Sequence, residues 1–148
     1  MTRKSSSPAT PAKPVTKAEF EMLAAFRYEL RHFLRFSEEA AGAAGLTPTQ
    51  HQALLAVKGF PGKERITIGE LAERLHVVHH SAVGLVDRLV AHDLMARETG
   101  LEDRRQVYVT LTARGNEILQ SLTSAHQREI RRLAPHLKSL LHSLADEG

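Results

Sequence analysis

Two short stretches hold the residues best suited to chemistry. In the first, His79, His80 and Ser81 are followed by Gly84, Asp87 and Arg88. Their imidazole, hydroxyl and guanidinium groups can address phosphates and purine edges. In the second, Arg97 precedes Asp103-Arg104-Arg105 at the centre of a turn-rich segment. A guanidinium on a thin loop fits the narrow, electronegative minor groove of A·T-rich duplex, and Arg105 is the first candidate. Asp103 has the same sign of charge as a phosphate. One reading therefore has it accept hydrogen bonds from Arg105 and fix that fork; the other is a solvated ion pair of little weight. Gly84, inside an apolar helical pattern, costs about 1 kcal/mol relative to Ala. Close approach to a duplex and simple tolerance at the surface both accommodate it.

The elements that must position these groups follow from spacing. Phe20, Leu23, Phe26, Leu30, Phe33 and Leu34 recur at three and four residues, predicting a long first helix from Lys17 to about Ala44, ended by Gly45. Thr47-Pro48-Thr49-Gln50 caps a second helix to about Lys58, and Thr67 with Glu70 caps a third that closes near Leu75. Ala82, Leu85, Val86 and Leu89 define the inward face of a fourth helix, His79 to Ala91. The short connection between the third and fourth forces a sharp crossing, the mark of a helix-turn-helix whose second helix lies in the major groove. Leu94–Glu98 and Gln106–Leu111 flank Thr99–Arg105 as a hairpin. Thr112 caps a helix from Ala113 to about Leu133, and Pro135 predicts a break before a last helix with Leu137, Leu140, Leu141 and Leu144.

Length and composition set bounds. The 148 residues fit one domain able to bury a core without disulfides. The absence of cysteine excludes thiol redox sensing and Cys-ligated zinc, and fits a reducing cytoplasm. No apolar run reaches the roughly 20 residues needed to cross a bilayer, so a soluble protein without membrane contact is expected. The net charge of +3 comes from the first 17 residues, which hold four bases and no acid; there are five bases against six acids in 18–64, six against seven in 65–112 and five against four beyond. A footprint on nucleic acid must therefore come from where individual arginines sit. Ser5 to Pro14 is too poor in large apolar groups to order itself. Without a Gly-rich phosphate loop, a nucleophile motif or paired carboxylates, the chain reads as no enzyme and calls for no cofactor. A protein-only interaction module is the third class, in which the hairpin arginines would be dispensable.

The run Ile68-Gly69-Glu70-Leu71-Ala72-Glu73-Arg74-Leu75, then Leu85-Val86-Asp87-Arg88-Leu89, Leu94, and above all Asp103-Arg104-Arg105 with Val107, Val109, Leu111 and Thr112, resembles the winged helix-turn-helix of the multiple antibiotic resistance regulator (MarR) family. The resemblance covers about Lys17 to Ala145. It implies a mainly α fold with a small β-hairpin wing and long N- and C-terminal dimerisation helices. The division is then a disordered basic arm (1–16), a dimerisation helix (17–46), a winged helix-turn-helix lobe (47–112) and C-terminal dimerisation helices (113–148), as one intertwined domain. The function implied is a ligand-responsive repressor that binds a pseudo-palindromic operator in double-stranded DNA as a homodimer, with half-sites one helical turn apart. Independently, the apolar faces of the terminal helices exceed what a helix-turn-helix core can cover. The candidate DNA-binding residues are His79, His80, Ser81, Gly84, Arg88, Arg97, Arg104 and Arg105, with Asp103 orienting the wing. Where the family usually has Ser or Asp to cap the recognition helix, this chain has Val78.

Nine histidines also raise a metal reading, because some members of that family sense zinc. His76, His79 and His80 have helical ligand spacing, but His76 precedes the turn and no carboxylate lies among them, so no metal site is assigned; a zinc-responsive regulator of the same fold is the alternative. The family's effector cleft lies between the dimer helices and the DNA-binding lobe. Arg27, Tyr28, His32, Phe36 and His51 are the candidates to line it for a small aromatic or anionic effector, combining apolar rings with donors. Structural burial is the other reading of His32 and His51.

Overall fold

A computed structural model describes residues 13–146; the arm expected over 1–16 lies mostly outside the described residues. Helix α1 runs Lys17–Ala43, α2 Pro48–Lys58, α3 Ile68–Leu75, α4 His79–Ala91 and α5 Ala113–Ala145, with strands β1 Ile66–Thr67, β2 Met95–Thr99 and β3 Val107–Leu111. Thr16, Thr47 and Thr67 each accept the amide three residues on while Glu19, Gln50 and Glu70 reach back, so three helices start in full capping boxes. After α1, Gly45 is left-handed (φ +80°), and the Leu46 amide donates to the Ala41 carbonyl at 2.9 Å, a Schellman end that drives Leu46 into the core. No helix among the described residues is long and apolar enough to cross a membrane.

The core lies under the lobe. Leu54 and Val57 of α2, Leu71 of α3, Leu85, Val86 and Leu89 of α4, Met95 and Val109 of the sheet, and Leu119 and Leu122 of α5 form one buried cluster. The four residues assigned to the inward face of α4 are all buried. The sheet has the order β1-β3-β2, antiparallel throughout, with Met95 opposite Leu111 and Ile66 opposite Val109. Two expectations need correction. The hairpin is joined by a third strand, β1, whose two residues are too few to show a period-two pattern. The break at Pro135 does not occur: α5 is continuous across it. Pro135 forfeits one backbone bond, at a cost of about 3 kcal/mol. Leu133 before it and Leu140 after it keep the helix packed along α1 on both sides.

The end of α4, the start of β2, the end of β3 and the start of α5 meet at one point. The Thr112 amide donates to the Leu94 carbonyl at 3.2 Å. Its hydroxyl donates to the Asp93 carbonyl at 2.6 Å and accepts from the Gly115 amide at 3.0 Å, and Arg114 donates to the His92 carbonyl at 3.1 Å. Gly115 is buried against Leu94 so closely that an added Cβ would overlap the Leu94 carbonyl oxygen. Gly115→Ala should therefore destabilise the fold by about 1–3 kcal/mol despite alanine's better helix propensity. Urea unfolding checks this; an unchanged or raised midpoint would remove the close contact from the account.

Candidate nucleic-acid interface

Helix α4 is set by the turn before it. His76 is left-handed (φ 54°) and the Val77 amide bonds back to the Ala72 carbonyl at 3.0 Å, which swings the chain off α3 into α4. With the apolar face buried, His79, His80, Ser81, Asp87 and Arg88 are exposed and Gly84 is half-buried. A Cβ at Gly84 would meet only the Arg88 guanidinium, at 3.9 Å. Nothing within the chain demands glycine there, so its effect is to thin the outer profile of the helix. Val78 provides no side-chain acceptor, and the amides of the first turn of α4 have no side-chain cap.

The wing is a short, closed turn. Gly100 donates to the Gln106 carbonyl at 2.9 Å and Gln106 to the Asp103 carbonyl at 3.1 Å. A side chain at Gly100 would sit 2.6 Å from the Asp103 carbonyl oxygen. The Asp103 carboxylate accepts the backbone amide of Arg105 at 2.9 Å, not its guanidinium. That corrects the expected fork: at two residues' separation in a tight turn, a short carboxylate reaches the amide and forms an Asx turn. The Arg105 guanidinium has no carboxylate partner among the described residues, and Arg104 beside it is also exposed. Lower down, Arg65 donates to Glu98 at 3.1 Å and lies 4.6 Å from the centre of the Tyr108 ring, bracing β2 and β3.

Arg97 does not join the outer surface as a free cation. It forms an ion pair with Asp87, linking β2 to α4. Such a pair adds little stability at the surface but holds the wing and the helix in one orientation. Four of the other groups named from sequence line two hollows. His79 and Arg105 line a common hollow of about 370 Å³ with Thr67, Ile68 and Gly69 at the start of α3 and Gln106 and Val107 of the wing. Ser81 and Arg88 line a second, of about 400 Å³, with Thr49 and Gln50 of α2. Sequence reading missed Thr49 and Gln50 because it treated the start of α2 only as a cap. Among the described residues no three His, Asp or Glu gather to hold a metal ion, so His76, His79 and His80 form no ligand set and the zinc alternative gains no support.

The five effector candidates do not share one cleft within the chain. Tyr28 and His32 stack at 6.4 Å on the exposed face of α1, beside a hollow lined also by Arg31, Leu34, Arg35 and Glu38, and Arg27 is exposed. Phe36 and His51 pack inward instead, His51 being buried on α2 and the Phe36 ring lying 5.3 Å from a ring of α5. They meet a residue that sequence reading missed, His126 of α5. His51 is 4% and His126 8% exposed, with ring centres 4.9 Å apart and the edges of Phe33 and Phe36 against His126. The His126 Nδ1 lies 2.7 Å from the Leu122 carbonyl, which can only accept, so Nδ1 carries the proton and Nε2 faces the Ser37 hydroxyl at 2.8 Å.

Burial, and then repulsion from His126, lower the His51 pKa below the ordinary 6.5. The folded state thus binds fewer protons than the unfolded chain just below that pH. Stability should be full above about pH 6.5 and fall as pH drops through the depressed value. Thermal melts from pH 8 to 5 should show this decline lessened in His51→Phe; parallel curves would remove the burial effect.

Comparison with known proteins follows the same lines. The model described as the MarR family matches residues 44–106. The HTH-type transcriptional regulator YkoM of Bacillus subtilis (strain 168) is 30% identical over 108 residues, a match spanning 73% of this chain and 66% of that protein. AbsC, a MarR family transcriptional regulator from Streptomyces coelicolor, superposes with a TM-score of 0.67 at 19% identity over 92% of this chain and 97% of its own. A MepR mutant from S. aureus bound to an oligodeoxyribonucleotide gives 0.67 at 16%, over 90% and 99%. With the Asp103-Arg104-Arg105 wing, the helix-turn-helix and the long flanking helices in the same order, the chain belongs to the MarR family of transcriptional regulators, with the winged-helix fold.

Proposed function

We propose that this regulator binds double-stranded DNA in the cytoplasm as a homodimer, placing α4 in the major groove and Arg105 in the flanking minor groove. The observation that carries the reading is the hollow lined by both His79 and Arg105, since a helix start and a wing tip on one face can follow one duplex. His80, Ser81, Arg88 and Arg104 extend that face, and Gly84 thins it. The uncapped amides of α4 suit a phosphate. The S. aureus MepR mutant, which shares the fold and is bound to an oligodeoxyribonucleotide, supports DNA as the ligand.

The homodimer rests on apolar surface. Phe20 and Leu23 are 60% and 59% exposed, Leu30, Leu34, Ile130, Leu141 and Leu144 are exposed as well, and a groove of about 420 Å³ runs between Met22, Leu23 and Phe26 of α1 and Leu140, Leu141 and Leu144 of α5. A second copy would cover these faces, whereas Phe33 and Leu133 are used within the chain. The output of the reading is a repressor on a pseudo-palindromic operator, released by a small aromatic anion. The exposed Tyr28–His32 stack beside Arg31 and Arg35 supports that ligand class.

Fluorescence anisotropy with duplexes from the gene's own upstream region should give salt-dependent binding by a dimer. Arg105→Ala should weaken it by roughly 1–3 kcal/mol, and most on A·T-rich flanks. A monomer at micromolar concentration, or undiminished affinity in Arg105→Ala, would overturn the reading. In the same assay, Asp103→Ala should lower affinity with little change in melting temperature, since it unpins the turn that carries Arg105 without touching the core; unchanged affinity would deny the turn that role.

A further inference from the structure

We infer that His51 and His126 form a proton-sensitive joint between the long helices and the DNA-binding lobe, which on charging slackens the seat of α2 and lowers the affinity for DNA. The inference rests on the DNA-binding reading above. The pair stands where three elements meet: His51 on α2, His126 on α5, and Phe33, Phe36 and Ser37 on α1. Helix α2 also presents Leu54 and Val57 to the core shared with α3, α4 and the sheet. A displacement of α2 therefore moves the body that carries α4.

Neither ring has a counter-ion. Among the described residues no carboxylate pairs with His51 or His126. From α1 the groups facing His126 are two phenyl edges and a hydroxyl, and from α2 only His51 itself. Of the acids on these helices, Glu29 faces His136, Glu39 pairs with Arg35, Glu38 is exposed, and Glu129, one turn beyond His126, binds Arg132 at 2.6 Å. Arg128 is exposed. In the neutral pair, Ser37 donates to the His126 Nε2. A second proton on His126 turns Nε2 into a donor, so the hydroxyl must reverse. A proton on His51 then sets a like charge 4.9 Å away in a site with little water. Moving α2 outward relieves both.

The test compares the wild-type protein with His51→Phe, which keeps a ring and cannot titrate, in DNA affinity at fixed salt from pH 7.5 to 5.5. His79 and His80 are common to both proteins, so the difference between the two profiles isolates the joint. Wild-type affinity should fall about tenfold relative to the variant across that range. Parallel profiles overturn the inference. Amide hydrogen exchange of α2 in the wild-type protein should speed up relative to α3 at pH 5.5, after correction for intrinsic rates; equal protection at both pH values would also overturn it, even if the variant fails to fold. Failure of both proteins to bind DNA at pH 7.5 defeats the DNA-binding reading instead, while the exchange experiment still decides whether the joint responds to protons.

Discussion

A single threonine hydroxyl joins the end of α4 to the start of α5. Thr112 uses its oxygen as donor to the Asp93 carbonyl and as acceptor for the Gly115 amide, while its own amide ties to Leu94. All these partners are main-chain groups, so the geometry does not depend on flexible side chains. The left-handed Asp93 closes α4 at the same spot, with the Leu94 amide bonded back to the Leu89 carbonyl. Gly115 removes the one atom that would hold α5 away. The direction of α4 relative to α5 is thus set within a few residues, and every statement about groove spacing inherits it.

Around that fixed corner the molecule divides by how completely its apolar surface is covered. The lobe buries most of its large aliphatic groups within one chain, with Leu55, Val78, Leu101 and Val107 left exposed. The long helices are different: α1 buries only Ala41 fully, while its phenylalanines and leucines remain half covered or open. Pairing Arg97 with Asp87 and Arg65 with Glu98 adds orientation to the lobe, while Arg88, Arg104 and Arg105 are exposed cations with no carboxylate partner among the described residues. A lobe with its own core on helices with open apolar faces suits assembly from two copies.

Most of the fold was legible because its signals are local. Thr47 with Gln50 and Thr67 with Glu70 marked two helix starts, and the spacing of Ala82, Leu85, Val86 and Leu89 gave the inward face of α4. What escaped depends on contacts distant in sequence or on competing terms. Two residues of β1 gain strand geometry only by pairing with β3. Pro135 is a reliable breaker in isolation, yet packing along α1 outweighs it. The partner of His51 is 75 positions away, and no pattern along the chain announces it. Asp103 does bond Arg105, but through the backbone amide, which the turn brings to the carboxylate in place of the long side chain.

Val78 leaves the reading helix unfinished at its leading end. A serine or aspartate there would supply about 1 kcal/mol and freeze the first turn before any encounter. With a valine that contribution is missing, so under the proposed function an incoming phosphate would supply the acceptor that the side chain does not.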